Sequence, residues 1–157
     1  MNRIDRKMTE IKDIKELISR VKFCSVAVND GGVPYIIPIS YGYEFSADDS
    51  VLTLYFHCAQ KGKKSDLWRE KGRASFSVAS MDGLVKGEKA CNYSCNYASV
   101  IGSGTIEQVT DTDEKVYGLE KIMENQTGDK WTIERNEAKG VAVWKLLSSD
   151  FTGKHRI

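Results

Sequence analysis

Apolar and polar residues alternate along much of this chain, a pattern typical of strands that bury one face. Alternation, or a short apolar run bounded by turn residues, predicts six strands. They cover residues 23–28, 33–45, 51–57, 73–80, 97–109 and 141–147. Helical spacing of apolar residues predicts three helices, one after Thr9, one over residues 63–70 and one after Asp111. We therefore expect a mainly β protein with flanking helices.

Turn and cap residues divide these segments. Residues 29–32 read Asn-Asp-Gly-Gly, a strong signal for a hairpin between the first two strands. Pro34 and Pro38 lie in the second strand, and because proline cannot donate to a sheet ladder we expect an edge strand or an interrupted one. Residues 102–104 read Gly-Ser-Gly with no helix following, which indicates a bulge.

Helix starts also have sequence signals. Thr9 is a candidate N-cap of the first helix, and Asp111 with Glu114 forms a candidate capping box for the third. Residues 81–96 read as a polar loop, and the chain ends in a basic tail after Phe151.

The chain has 157 residues, without an internal repeat, low-complexity tract or linker. This length suits one domain with a full core. We predict a single domain over residues 1–157, built as a small antiparallel barrel of six strands.

Charge and hydropathy exclude several classes of partner. The chain has 23 basic and 22 acidic residues, and no basic stripe favours nucleic acid. Residues 1–13 are charged and contain no apolar run, unlike a signal peptide, and no stretch approaches the length of a spanning helix. We expect a cytoplasmic protein, not bound to membranes or nucleic acid, whose four cysteines are thiols.

The segment 51–68 carries the most chemistry. A strand is followed by a turn containing Lys61, Gly62, Lys63 and Lys64, and a helix begins near Lys63. Helix amides and lysines together attract anions, which makes this turn a candidate phosphate site; the alternative is three solvated surface lysines. Aromatic residues cluster in and around this part of the sequence: Tyr35, Tyr41, Tyr43, Tyr55, Phe56 and Trp68. They are typical of a core or an interface, but with a phosphate site they also suit a flat aromatic cofactor such as FMN.

Other chemistries have weaker support. His57, Cys58, Cys91 and Cys95 could be arranged as zinc ligands, but His57 and Cys58 are adjacent on a strand and should point to opposite faces. The same geometry opposes a cysteine–histidine nucleophile pair, and no serine hydrolase motif is present. We predict no metal site.

Taken together, several segments resemble the pyridoxamine 5′-phosphate oxidase-like FMN-binding split barrels, and in particular their nitroimidazole-resistance (Nim) branch. The resembling segments are NRIDRKMTEIKDIKELI, DGGVPYIIPISYGYE, LYFHCAQKGKKSDLW, YASVIGSGTIEQVTD and VAVWKLLSSDFTGK. The combination of PYIIPISYGY with FHCAQKGKK is the most specific part, and the resemblance covers nearly the whole chain.

The resemblance implies a six-stranded antiparallel split barrel with flanking helices and an FMN site for each chain of a homodimer, at the subunit interface. It implies that Gly62, Lys63 and Lys64 hold the phosphate. Pro38, Ile39, Ser40 and Tyr41 would offer main-chain and hydroxyl contacts to the polar edge of the flavin. His57 would lie near the flavin, as a cofactor contact and a candidate catalytic proton donor or acceptor. Trp144, or a neighbour on the last strand, would reach the partner's cofactor.

The implied function is an FMN-dependent oxidoreductase that takes electrons from a small donor and reduces a nitro group or another small acceptor. Two alternatives stay open: a flavin-binding or storage protein without turnover, and a haem-handling split barrel ligated through His57 or His155. Pyridoxamine 5′-phosphate oxidase activity itself is disfavoured. The flavin-edge strand has no arginine or lysine, and the carboxyl end matches the family's substrate-gripping residues only loosely.

Overall fold

A computed structural model describes residues 4–157, so Asn2 and Arg3 of the first resembling segment lie outside the described residues. Seven antiparallel strands form one sheet in the order β2-β1-β5-β6-β7-β4-β3. The strands are β1 (Phe23–Asp30), β2 (Val33–Ser40), β3 (Gly42–Phe45), β4 (Leu52–Cys58), β5 (Arg73–Val85), β6 (Ser94–Val109) and β7 (Ala142–Arg156). The helices are α1 (Ile11–Arg20), α2 (Lys63–Lys71) and α3 (Thr112–Thr127). The mainly β fold with flanking helices is confirmed.

The strand count differs by one from the prediction, because the predicted second strand divides at Tyr41. The Tyr41 side chain is buried, and its hydroxyl donates to the carbonyl of Ile18 at 2.8 Å, with the carbonyl of Val21 at 2.9 Å. The ring is thus anchored to the end of α1, where it separates β2 from β3. β2 pairs with β1, whereas β3 pairs with β4.

This division opens the barrel between β2 and β4. β2 and β3 lie at the two ends of the sheet although a single residue joins them. The β3–β4 pairing begins at Gly42 and Tyr55, whereas β4 pairs with β7 as far as Cys58. Among the described residues, the last three positions of β4 therefore have a strand neighbour on one side only. The free edge of β2 lies across the opening, which is the split of a split barrel.

Turn signals were the most reliable part of the sequence. Gly31 and Gly32 form the β1–β2 turn with φ of 61° and 92°, and the Gly32 amide donates to Asn29 Oδ1 at 2.8 Å. β2 is an edge strand, as its two prolines predicted. The β6–β7 register shifts between Ser103 and Thr105, which confirms the predicted bulge.

Several predicted boundaries are wrong. The N-cap of α1 is Glu10 rather than Thr9, and it makes no side-chain cap bond. Asp111 does cap α3, but Glu114 binds Lys145 instead of completing a capping box. Half of the predicted 81–96 loop and nearly all of the basic tail are strand, because β5, β6 and β7 extend as a long paired ribbon past the barrel.

The core has two parts on opposite sides of β4 and β7. The main part fills the barrel and includes Trp68, Trp144 and Phe56. The smaller part lies under α3 and consists of Tyr55, Val109, Ile122 and Val143. No helix among residues 4–157 is long and apolar enough to cross a bilayer.

Candidate functional site

The loop between β4 and α2 forms a small basin that we call the cradle, lined by Tyr35 and residues 58–65, apart from Gln60. Gly62, the N-cap of α2, has φ of 140°, a backbone conformation that residues other than glycine rarely adopt. The buried Ser65 closes the loop, since its hydroxyl donates to the carbonyl of Ala59 at 3.0 Å. The cradle is therefore shaped by its backbone, and its cavity measures about 260 Å³.

The cradle is electropositive. The first amides of a helix have no intrahelical acceptor, so the N–H groups of Lys63, Lys64 and Ser65 are free of helical partners and mark the positive end of the α2 dipole. Lys61, Lys63 and Lys64 line the same cavity. This combination suits an anion that carries several acceptor oxygens, such as a phosphate.

Two of the three lysines are engaged by neighbouring side chains. Lys63 Nζ lies 2.7 Å from Asp30 Oδ2 and 4.7 Å from the centroid of the Tyr35 ring. The Asp30 contact raises the pKa of Lys63. Lys64 Nζ lies 5.7 Å from the centroid of Trp68. The cradle thus joins the start of α2 to the tip of the β1–β2 hairpin.

The free edge of β2 runs from the cradle along the split. Alternate residues of an antiparallel strand direct their N–H and C=O groups to the same neighbour. Since Pro34 and Pro38 have no N–H to give to β1, we expect residues 34, 36 and 38 to direct their main-chain polar groups to the free edge. That edge would then offer three carbonyl acceptors and the amide donor of Ile36.

The predicted edge-strand residues differ in what they expose. Pro38 is exposed and Ser40 is half-buried, whereas the Ile39 side chain faces the core. The polar groups of Tyr41 are engaged within the chain. Its hydroxyl bonds to the end of α1, and its carbonyl accepts from Asn125 Nδ2 at 2.9 Å. Burial raises the pKa of the Tyr41 hydroxyl.

His57 and Cys58 point to opposite faces, as strand alternation predicted. His57 is exposed at the end of β4 that borders the split, while Cys58 packs against the main core, with its Sγ 3.3 Å from Ser65 Oγ. His155 is far along β7: His57 pairs with Val143, twelve residues earlier in the strand. Within residues 4–157, no three histidine, cysteine or acidic side chains are grouped to hold a metal ion.

Trp144 lies behind the cradle rather than at the surface. Its side chain is 1% exposed and packs edge-on against Trp68, with ring centroids 5.5 Å apart. The guanidinium of Arg69 lies 5.7 Å from the centroid of Trp144. Within one chain, Lys64, Trp68 and Trp144 thus form a continuous row of contacts from the cradle into the core.

The outer side of four strands forms what we call the bare face. β2, β1, β5 and β6 bury one side and leave the other uncovered. Its outward residues are mostly small or apolar: Phe23, Ser25, Ala27, Ile36, Pro38, Ser75, Ser77, Ala79, Met81, Ser99 and Ile101. Within residues 23–29, 34–40, 73–81 and 97–103, Arg73 is the only outward charged residue that the structure describes. Phe23, Ile36 and Ile101 are 63%, 61% and 58% exposed.

The structure places Gly62, Lys63 and Lys64 together in the cradle, and His57 lies near the end of the preceding strand, β4. It also adds residues that the sequence did not point to. Asp30 was predicted only as part of a hairpin turn, and no local signal shows that this turn reaches α2. Ser65 was hidden because a serine in a first helical turn has many ordinary roles. Both become visible only through tertiary contacts.

Comparisons with known proteins agree with this geometry. A family model described as pyridoxamine 5′-phosphate oxidase matches residues 10–155. A search of curated proteins found no match.

Among solved structures, the fold is similar to a candidate 5-nitroimidazole antibiotic resistance protein from Bacteroides thetaiotaomicron VPI-5482. The TM-score is 0.79 at 27% identity, covering 95% of this chain and 86% of that one. It is also similar to an FAD- and haem-binding protein from Mycobacterium smegmatis, with TM-score 0.79, 20% identity and coverage of 96% and 73%. A third similar structure is an FAD-binding protein from Mesorhizobium loti, with TM-score 0.66, 18% identity and coverage of 97% and 98%.

Proposed function

The chain belongs to the pyridoxamine 5′-phosphate oxidase family, and we propose that it is an FMN-binding oxidoreductase that reduces a nitro group or another small acceptor. The observation that carries this proposal is the position of the cradle. An electropositive helix start lies at one end of a split whose edge strand has free main-chain groups. A phosphate joined by a short chain to a flat ring with a polar edge matches both features.

The residues present fit such a cofactor. Gly62, Lys63 and Lys64 would hold the phosphate through helix amides and two ammonium groups. A Cβ built on Gly62 meets no atom within 4 Å, so the site is open to the arriving oxygens. Carbonyls and the amide at the β2 edge, near Pro38 and Ser40, would bind the polar rim of the ring. Flavins supply hydride and electron transfer, and these residues would bind and orient the ring for it.

His57 is the candidate proton donor or acceptor of the site. Its side chain is exposed at the end of β4, beside the split. An imidazole at that position could hold a proton for an acceptor that gains electrons. The outward residues of β2 carry no charge, which supports the view that the substrate is not a vitamin B6 phosphate.

FMN is preferred over FAD because the cradle is a single compact basin. The similar Mycobacterium and Mesorhizobium proteins bind FAD by their names, so the two flavins must be compared directly. Titrations with FMN, FAD and riboflavin, monitored by flavin fluorescence, compare the three affinities. They distinguish a site for a terminal phosphate from a diphosphate site and from binding of the ring alone.

We also propose that the protein is a homodimer whose interface is the bare face, with the flavin at the border between the chains. Large uncharged surfaces are rare on monomers and common in the centre of dimer interfaces. The free edge of β2 borders this face, so a second chain would cover the exposed side of a ring bound there.

The phosphate assignment is tested by replacing Lys63 and Lys64 together with alanine. The variant loses two charge-assisted contacts to the phosphate, so FMN affinity should fall at least about tenfold. Riboflavin affinity should change little, because it has no phosphate. The Lys86→Ala and Lys89→Ala double variant, in the β5–β6 hairpin, controls for the loss of two surface lysines.

Equal FMN affinity in the wild type and the Lys63/Lys64 variant would contradict the assignment. Anaerobic mixing with NAD(P)H and a nitroimidazole then tests turnover. Bound FMN without turnover would favour a storage protein over a reductase.

A further inference from the structure

The contact between Asp30 and Lys63 places a carboxylate beside the proposed phosphate site. Asp30 is the last residue of β1, and its Oδ2 lies 2.7 Å from Lys63 Nζ. The Lys63 ammonium also lies 4.7 Å from the centroid of Tyr35, which lines the cradle. Lys63 is therefore held toward the hairpin, on one side of the basin.

We propose that Asp30 is a built-in competitor for Lys63 that tunes how tightly the cradle holds a phosphate. The inference rests on the proposed flavin site and names a residue that sets its affinity. A phosphate that uses Lys63 must take the ammonium from Asp30 or share it. The carboxylate therefore weakens phosphate binding, and Lys63 returns to Asp30 when the phosphate leaves.

The charges around the cradle make this competition selective for Lys63. Lys64 lies instead over the face of Trp68, and Asp66 of the same helix pairs with Arg69 at 3.2 Å, leaving Asp30 as the carboxylate paired with a cradle lysine among the described ion pairs. Lys64 is thus the constant cation of the site, and Lys63 is the adjustable one.

The test is the variant Asp30→Asn, which removes the charge while keeping the shape of the side chain. Both partners are well exposed, with side-chain exposures of 59% and 39%. An exposed ion pair contributes little, so we expect FMN affinity to rise about threefold at physiological salt, and more at low salt. Riboflavin affinity should stay unchanged, because the effect requires a phosphate.

A double-mutant cycle shows whether Asp30 acts through Lys63. In a Lys63→Ala background, Asp30→Asn should no longer raise FMN affinity. Asp82→Asn is the matched control, since Asp82 also forms an exposed ion pair. Its Oδ1 lies 2.6 Å from Arg20 Nη1, outside the cradle. That variant should leave FMN affinity unchanged and so exclude a general effect of net charge.

Three results would overturn the proposal: unchanged FMN affinity in Asp30→Asn, weaker affinity, or an equal gain in the Lys63→Ala background. Weaker affinity would mean that Asp30 positions Lys63 for the phosphate instead of competing for it. These failures are distinct from failure of the proposed function, which would appear as a wild-type protein that does not bind FMN.

Discussion

The two halves of the sheet are covered very differently. In the half formed by β7, β4 and β3, five consecutive residues of β4 and the first three residues of β7 are buried, so the sheet is covered on both sides there. α3 covers one side of that half, and the barrel interior covers the other. In the half formed by β2, β1, β5 and β6, one side faces the interior and the other is the bare face. We call the half covered on both sides the finished half, and the half that carries the bare face the unfinished half.

Glycines explain how closely α3 covers the finished half. A Cβ on Gly118 would lie 2.8 Å from the Tyr55 ring, and a Cβ on Gly42 would lie 2.3 Å from the backbone of Lys121. The helix therefore packs with its backbone directly against β3 and β4. Tyr55 and Tyr117 add hydroxyl bonds to Glu44 at 2.8 and 2.6 Å. No equivalent helix lies on the bare face among the described residues, and this is the face that we propose a second copy of the chain covers.

The largest expected effect comes from separating α3 from the finished half. Gly42→Ala places a methyl group inside the contact radius of three backbone atoms of α3, so the helix must move. We expect a loss of about 3 kcal/mol in the free energy of unfolding, measured by denaturant titration. In Gly140→Ala, where a Cβ meets no atom within 4 Å, the change should stay within about 1 kcal/mol. Equal losses in the two variants would contradict the close packing of α3.

The second prediction concerns the bare face. Ile36→Glu combined with Ile101→Glu places charges on the two outer strands of the proposed interface, where each isoleucine is exposed in the single chain. Like charges meeting across a two-fold interface cost several kcal/mol, so dimer affinity should fall about a hundredfold or more. Sedimentation velocity measures the change, and FMN retention should fall with it.

Trp131→Glu is the control for that experiment, because Trp131 is an exposed aromatic residue just after α3, on the covered half. It should leave the sedimentation coefficient unchanged. A wild-type protein that sediments as a monomer would contradict the interface at once.

The smallest expected effect comes from removing the N-cap of α3, which tests whether the two halves of the sheet are independent. The Glu114 amide donates to Asp111 Oδ1 at 2.9 Å. Asp111→Ala should therefore cost about 1 kcal/mol of stability, the usual value of an N-cap. Asp113→Ala, which removes an exposed partner of Arg135, should cost about 0.5 kcal/mol. Dimer affinity and FMN affinity should be unaffected in both variants, since α3 covers the finished half only. A shift in either would link the two halves and contradict their independence.

Local chemistry explains which features the sequence could predict. Glycine and proline signals located the hairpin at Gly31 and Gly32, the edge strand and the bulge, because each depends on neighbouring backbone alone. The break at Tyr41 was missed because its cause is a hydroxyl bond to α1, more than twenty residues away in sequence. The added lengths of β5, β6 and β7 were missed for the same reason, since pairing with distant strands overrides a weak local pattern.

The candidate site divides in the same way. Gly62, Lys63 and Lys64 could be found because a strand, a basic glycine turn and a helix start follow one another in the sequence. The Asp30 contact could not, because it joins two turns that are distant in sequence. The indole of Trp144 lies in the interior of its own chain. Alternation along β7 could not show which face of the strand this side chain occupies, because residues 142–144 are all buried.

The central claim is that a second chain covers the bare face of the sheet and that this pairing completes the flavin site. Native mass spectrometry of the protein after incubation with FMN and desalting tests it most directly. The account predicts a dimer that carries two FMN molecules. A monomer, or a dimer that retains no flavin at FMN concentrations well above the protein concentration, would contradict it.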